Sequence, residues 1–471
     1  MSHLLVSSRK NQSGVITLLV TSALLIGSLL IILGYYKGLF YQIKRAQNEV
    51  NARQQYWLAE GGLECAYTKA VLFVSPKYFD QNYYNINPDF AEDFWSSECE
   101  NVNSGLSVHS TKTSRNLYQL TASYGNSSVH KHIDYRRTVS SGALQSTSDL
   151  IVHGSTVFSP PDPGTLSSDG WECKAVVFNR YFYSSGVRNQ GLVGTPSPYG
   201  DFSGGACATH SNSSQSYRTS SSSYSGVVPD SFDSDGHPIG NQHFNIGLDF
   251  SQQTDLSPFQ ALFDYPKTEW IKVLNSEQYD FDEAIVPQSV SACGASVLAA
   301  LRARRNAGKA NHVWVQGSCE LDATALKAIN DMTATAPALI VVQNGILSLN
   351  NDGSEGVINP INGLLYHFNN DYSHQPNHWN DTRGKSALDG AVTVFDASLD
   401  TIYGANRTIV PRNATFLQSG AITFNGGVVF DTSNELALSN SSMNFRYSAD
   451  AIDQAIGPKQ PRWLQGSWHD E

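Results

Sequence analysis

The sequence predicts an α+β protein: a long N-terminal helix packed on an antiparallel β-sheet, followed by a large, mostly β domain. That domain reads as a β-helix or layered β-roll, with a β-sandwich as the alternative. Three observations lead there. Val15 to Tyr36 is an unbroken run of 22 uncharged, mostly aliphatic residues. From Ala52 to Phe73 the apolar residues recur at spacings of four and three. Beyond residue 105 short segments alternate apolar and polar residues between turns rich in Gly, Asn and Asp.

The apolar run comes first because it sets the compartment. At about 1.5 Å of rise per residue it reaches the roughly 30 Å that a bilayer core requires. A buried helix of a soluble protein would keep a polar stripe. A secretory signal peptide is the competing reading, since Arg9 and Lys10 form a basic leader, but Leu39, Phe40 and Tyr41 follow where small residues should mark a cleavage site. Residues 15–36 are therefore read as a transmembrane segment. Residues 37–75 continue the same helix, with Ala52, Tyr56, Ala59, Leu63, Ala66, Ala70 and Phe73 forming one stripe that ends before Pro76. An Ala-rich stripe suits close approach to a sheet at least as well as a coiled-coil seam. Gly34 and Gly38 form a small-xxx-small pair inside the apolar run.

The sheet is expected within 76–141. Leu106 to Lys112, Leu117 to Tyr124 and Val129 to Val139 alternate as strands do, and Gly125-Asn126-Ser127-Ser128 supplies a turn. From Gly142 the rhythm changes, and 142–471 is read as the large β domain. Its expected strands include Asp149 to Gly154, Ala338 to Gln343, Ile346 to Leu349, Gly363 to Phe368, Gly390 to Phe395, Ala414 to Leu417, Ala421 to Phe424 and Val428 to Phe430. Such close-set short strands fit stacked rungs that bury each other's apolar faces. Residues 173–241, rich in Gly, Ser and Tyr, read as an inserted loop region. Helices are expected near Pro258 to Leu274, Ser289 to Asn306 and Asp322 to Met332.

The six cysteines contain no CxxC pair and no Cys/His cluster at zinc spacing. In an oxidising compartment the simplest pairing is sequential, Cys65–Cys99, Cys173–Cys207 and Cys293–Cys319, with other pairings or buried thiols as alternatives. A formal net charge of -11 argues against a surface that grips nucleic acid throughout. The densest basic group is His130, Lys131, His132, Arg136 and Arg137.

The segment Arg9-Lys10-Asn11-Gln12-Ser13-Gly14-Val15-Ile16-Thr17-Leu18-Leu19 resembles the prepilin leader of type IV pilins. By that resemblance residues 1–14 are a leader, a dedicated peptidase cuts between Gly14 and Val15, and the new amine of Val15 is methylated. The family carries Glu at the fifth mature position, where this sequence has Leu19. That departure implies a subunit at the filament tip. The stretches Val313-Trp314-Val315-Gln316-Gly317, Ala338 to Gly345, Asn362 to Tyr366, Ser441 to Tyr447 and Gly466-Ser467-Trp468 are similar to the C-terminal region of PilX-type minor pilins. The resemblance implies a minor pilin of a type IV pilus, resident in the inner membrane with a periplasmic domain before assembly and extracellular afterwards. Its partners would be the major pilin and other minor pilins. A tip adhesin, a DNA-uptake contact and a type II secretion pseudopilin are the alternatives.

The sequence shows no G-x-S-x-G elbow, no H-E-x-x-H pair and no complete phosphate-binding loop. No enzymatic activity and no cofactor are expected. Asp230, Asp233, Asp235 and Gly236 form part of a calcium loop, but Gln242 stands where a bidentate Glu belongs. Tyr366 to Trp379, with His367, Tyr372, His374 and His378, is the candidate stacking surface for a sugar or a single strand of nucleic acid.

Overall fold

The computed structural model describes residues 13–73, 99, 103–114, 117–134, 142–192, 197–200, 202–209, 216–232, 238–355, 360–386, 388–389, 414–456, 461–464, 466 and 469–470. The chain divides into two units, the first made of residues 1–73, 88–135 and 461–471 and the second of residues 74–87 and 136–460.

In the first unit, helix α1 (Ser13–Phe73) runs 61 residues without a proline. It packs across an antiparallel meander of β1 (Leu106–Ser114), β2 (Leu117–Tyr124) and β3 (Ser127–Asp134). The predicted stripe is where the contact lies. Ala59, Leu63, Ala66 and Ala70 are fully buried against Leu106, Val108, Leu120, Ala122, Val129 and Ile133, whereas Ala52 is exposed. Residues 135–139 of the third expected strand lie outside the described residues. The disulfide Cys65–Cys99 ties this half of the helix to the chain that follows it.

Helix and sheet meet most closely at Gly62, where an added Cβ would lie 2.9 Å from Leu106 Cδ1 and 3.2 Å from the Ala122 methyl. Its neighbour Gly61 faces open space. Gly62→Leu is therefore expected to destabilise this unit by about 2 kcal/mol through overpacking, while Gly61→Leu should leave it unchanged or slightly more stable. Thermal melting of the two variants side by side checks this, and equal melting temperatures would remove the close-approach argument.

The sheet holds two short strands that local pattern did not anticipate. Arg462–Trp463 and His469–Asp470 pair antiparallel with β3, with Arg462 opposite Asp134, Trp463 opposite Ile133 and His469 opposite His130. The end of the chain thus belongs to the first unit and not, as expected, to the large domain.

The second unit is a coil of parallel ladders, which excludes the β-sandwich alternative. One ladder runs through Asn311–Gln316, Ala338–Gln343, Ile361–Phe368, Ile422–Asp431, Leu144–Ser146, Val176–Phe178 and Phe250–Gln252. A second runs through Cys319–Asp322, Leu347–Asn350, Ala414–Ser419, Leu436–Asn440, Asp149–Phe158 and Phe182–Asn189. A third side is formed where Ile422–Asp431 pairs with Met443–Tyr447, and Met443–Tyr447 with the far end of Asp149–Phe158. Asn344 and Asn434, both left-handed at φ 56° and 65°, turn corners between the first ladder and the second, a conformation that Asn tolerates better than most side chains.

Spatial and chain order differ here. The chain starts in the middle of the stack at 144–158, builds the rung 176–189, and then crosses to the opposite end at 311–322. From there it coils back until 422–447 docks on 144–158. Helix Cys293–Asn306 packs on the end strands, pinned by Cys293–Cys319. Helix Ala323–Thr333 and helix Ala449–Ile456, the latter not foreseen, close other faces. The expected helix over 258–274 is broken into Pro258–Phe263 and Trp270–Leu274 by Asp264 in a left-handed turn before Pro266. Expected strand Gly390 to Phe395 lies outside the described residues.

Candidate functional site

Two groups of residues carried functional expectations, those of the N-terminal helix and those of the large unit. On α1, Gly14, Val15 and Leu19 occupy the first turns, and the side chains of Val15 and Leu19 are about two-thirds exposed, at 65% and 66%. The helix is long and apolar enough to cross a membrane, and none of its apolar window is buried. Residues 13–48 contain no Asp or Glu; the cations Lys37, Lys44 and Arg45 precede the first carboxylate, Glu49. A rod of this kind leaves its whole apolar circumference unsatisfied in water, which calls for lipid or similar rods around it. Gly34 and Gly38 also face open space.

Further along, α1 is fixed by charge and stacking. Lys131 donates to Glu60 and lies 3.6 Å from a Glu64 oxygen, with its ammonium 5.1 Å from the centre of the Trp463 ring. Trp463 stacks on Tyr67 at 4.7 Å, and the Tyr67 hydroxyl donates to the Pro461 carbonyl at 3.1 Å. The predicted basic group is thereby dissolved: Lys131 is spent on the helix, and Arg136 and Arg137 lie outside the described residues. Replacing Lys131 by Glu places three carboxylates together and is expected to destabilise the first unit by about 3 kcal/mol. The check is a chemical melt, and a change below about 0.5 kcal/mol would show the pair to be a solvated surface contact.

The six cysteines pair in chain order, Cys65–Cys99, Cys173–Cys207 and Cys293–Cys319. The aromatic tract is placed differently from its expected role. Tyr366, His367 and Phe368 lie in a ladder strand and are buried, and Trp379 is buried with its indole N–H on the Ala414 carbonyl at 2.8 Å. Tyr372, His374 and His378 remain half-buried, with 2.6 Å between the Tyr372 hydroxyl and His378 Nδ1. The tract therefore roofs the second ladder, over Ile346, Leu417, Leu436 and Leu438. Glu320, missed by the sequence reading, nails this roof down by accepting from the amides of Arg383 and Gly384 at 3.0 and 2.9 Å.

Of the calcium-loop residues, Asp233, Asp235 and Gly236 lie outside the described residues, and Asp230 accepts from the Asn241 amide at 3.1 Å. Among the described residues no group of three metal-ligating side chains occurs. Two buried charges of this unit, Asp249 and Arg304, are bound to protein partners. Asp249 accepts from Asn189 Nδ2 and from both the amide and hydroxyl of Thr219, and burial pushes its carboxyl above the usual range against those bonds. Arg304 is 2% exposed and reaches Asp280 at 2.8 Å and Asp282 at 2.9 Å. Lys309 and Arg304 hold Asp282 below the usual carboxylate range. The formal charge is uneven: the first unit carries equal numbers of acidic and basic residues, so the net -11 falls on the second.

No family model matches the chain, and no curated protein matches it. The crystal structure of the competence-associated pilin ComZ from Thermus thermophilus aligns over 89% of this chain and 97% of its own, at 11% identity and a TM-score of 0.20.

Proposed function

We propose that this chain is a minor pilin of a type IV pilus, of the PilX-like kind, held in the inner membrane by residues 15–36 and carried at the filament tip after assembly. The observation that supports this reading best is the helix: an acid-free apolar rod, wholly exposed, that continues without a break into a stripe seated on a small antiparallel sheet. In this reading a prepilin peptidase cuts between Gly14 and Val15 and the amine of Val15 is methylated. Leu19 offers no carboxylate to a neighbour's amine, which suits a position with nothing above it. Partners are the other minor pilins and the major pilin, met through the rod, and no catalysis is required of the chain.

The test is the mass and sequence of the N-terminus of membrane-extracted protein. The expected result is a chain starting at methylated Val15; retention of residues 1–14 in the presence of the peptidase would overturn the reading. A size imbalance favours a second role beside it: most of the chain lies in the second unit, beyond what helix assembly needs. A tip adhesin fits that excess. A DNA contact must work against the negative charge of that unit. A type II secretion pseudopilin would share the processing, and loss of secretion with intact pili on deletion would favour it.

A further inference from the structure

The large unit is a stack whose first-made rungs lie in the middle. Strand Leu144–Ser146 has Val428–Phe430 on one side and Val176–Phe178 on the other. Strand Asp149–Phe158 likewise has Leu436–Asn440 and Met443–Tyr447 on one side. The seam between these neighbours joins residues some 280 positions apart and carries a buried polar clasp. Thr147 donates to Asp431 at 2.9 Å, the hydroxyls of Ser148 and Thr432 meet at 2.7 Å, and Lys267 and Tyr366 reach the same Asp431 carboxylate at 2.9 and 2.8 Å. Across it Phe158 stacks on Phe445 at 5.0 Å.

We infer that this seam closes last: rungs 144–158 and 176–189 stay unfixed until the final rung, 422–447, docks on them and the Asp431 clasp forms. In a stack of this type each rung is stabilised by its immediate neighbours, and about three rungs are needed for stability. The first two rungs have strand 250–252 on one side, where Phe250 meets Phe158 edge-on at 5.7 Å, and on the other an apolar end that only 422–447 covers. The run 311–368 also grows by adding each rung to the one just made and, unlike the first two rungs, is sealed at its start by helix Cys293–Asn306. The seam itself closes a loop of some 280 residues, and such ladders form after those between neighbours in sequence.

Pulsed hydrogen exchange with peptide-resolved mass spectrometry, on the full disulfide-bonded chain refolding from denaturant in detergent, tests this. Amides of 338–343 and 361–368 are expected to gain protection first, and those of 149–158 and 182–189 together with 436–447 in a later phase. Asp431→Asn should slow that later phase about tenfold and leave the earlier one unchanged. Protection of 149–158 ahead of 436–447, or a later phase indifferent to Asp431→Asn, would overturn the inference.

Discussion

Gly426→Ala is expected to prevent the large unit from reaching its native fold. Gly426 and Gly363 are register partners in adjacent parallel strands, with φ of 144° and 128°. A Cβ at 426 would lie 2.0 Å from the Gly363 carbonyl oxygen, and one at 363 would lie 2.0 Å from that of Ala338. These obstacles are backbone atoms already bound into ladders on both sides, so they cannot step aside as a side-chain tip can. The strain of the positive φ adds to the collision, and the sum is expected to exceed about 4 kcal/mol. Gly353, φ 81° with nothing near its would-be Cβ, is the control, at about 1 kcal/mol for the conformation alone. The measurement is soluble yield and thermal melting of the two variants. A Gly426→Ala protein melting with the Gly353→Ala protein would mean that the stack accommodates side chains at this corner.

The second large effect is acid sensitivity of the same unit. His312 and His367 are buried, and desolvation lowers each imidazole to about 4. His312 Nδ1 is bonded to the Tyr279 carbonyl, in a neighbourhood that holds the Arg304 cation and Asp280; His367 Nε2 donates to the Gly345 carbonyl at 2.9 Å. A histidine with a lowered folded-state pKa stays neutral when folded while the unfolded chain takes up its proton. Its contribution is whole above pH 6.5 and drains away as the pH falls towards 4. The loss is about 3 kcal/mol for each residue, and the two together are comparable with the stability of a typical domain. Asp149, Asp249 and Glu435, raised by burial, act in the opposite sense, since their folded forms take up protons first on acidification. Comparing wild type with the His312→Gln/His367→Gln double variant isolates the histidines. The slope of unfolding free energy between pH 6.5 and 4 should be shallower in the variant, and parallel curves would refute the assignment.

How much of this was legible beforehand follows from the range of the interactions. The Ala59-Leu63-Ala66-Ala70 stripe and the strands at 106–124, 338–343 and 361–368 are written in local periodicity, and local periodicity found them. Gly62 was missed because a contact glycine in a helix looks like any other glycine until the opposing Leu106 is known. The tract from Tyr366 to Trp379 reads equally well as an exposed aromatic loop or as a strand followed by a roof. Only the pairing of Tyr366 with Val341 and Val429 decides between them. Helix Ala449–Ile456 is too short for a firm periodicity. The order of the rungs and the return of Arg462 and Trp463 to β3 are pairings between distant stretches, which no window of the sequence contains.

That return has a consequence for how such a protein could have arisen and could be rebuilt. Asp134 and Arg462 stand opposite each other in adjacent antiparallel strands, the spacing that a tight turn of two to five residues commonly bridges. Residues 136–460, the bulk of the second unit, therefore occupy the position of a hairpin loop between two paired strands of the first unit's sheet.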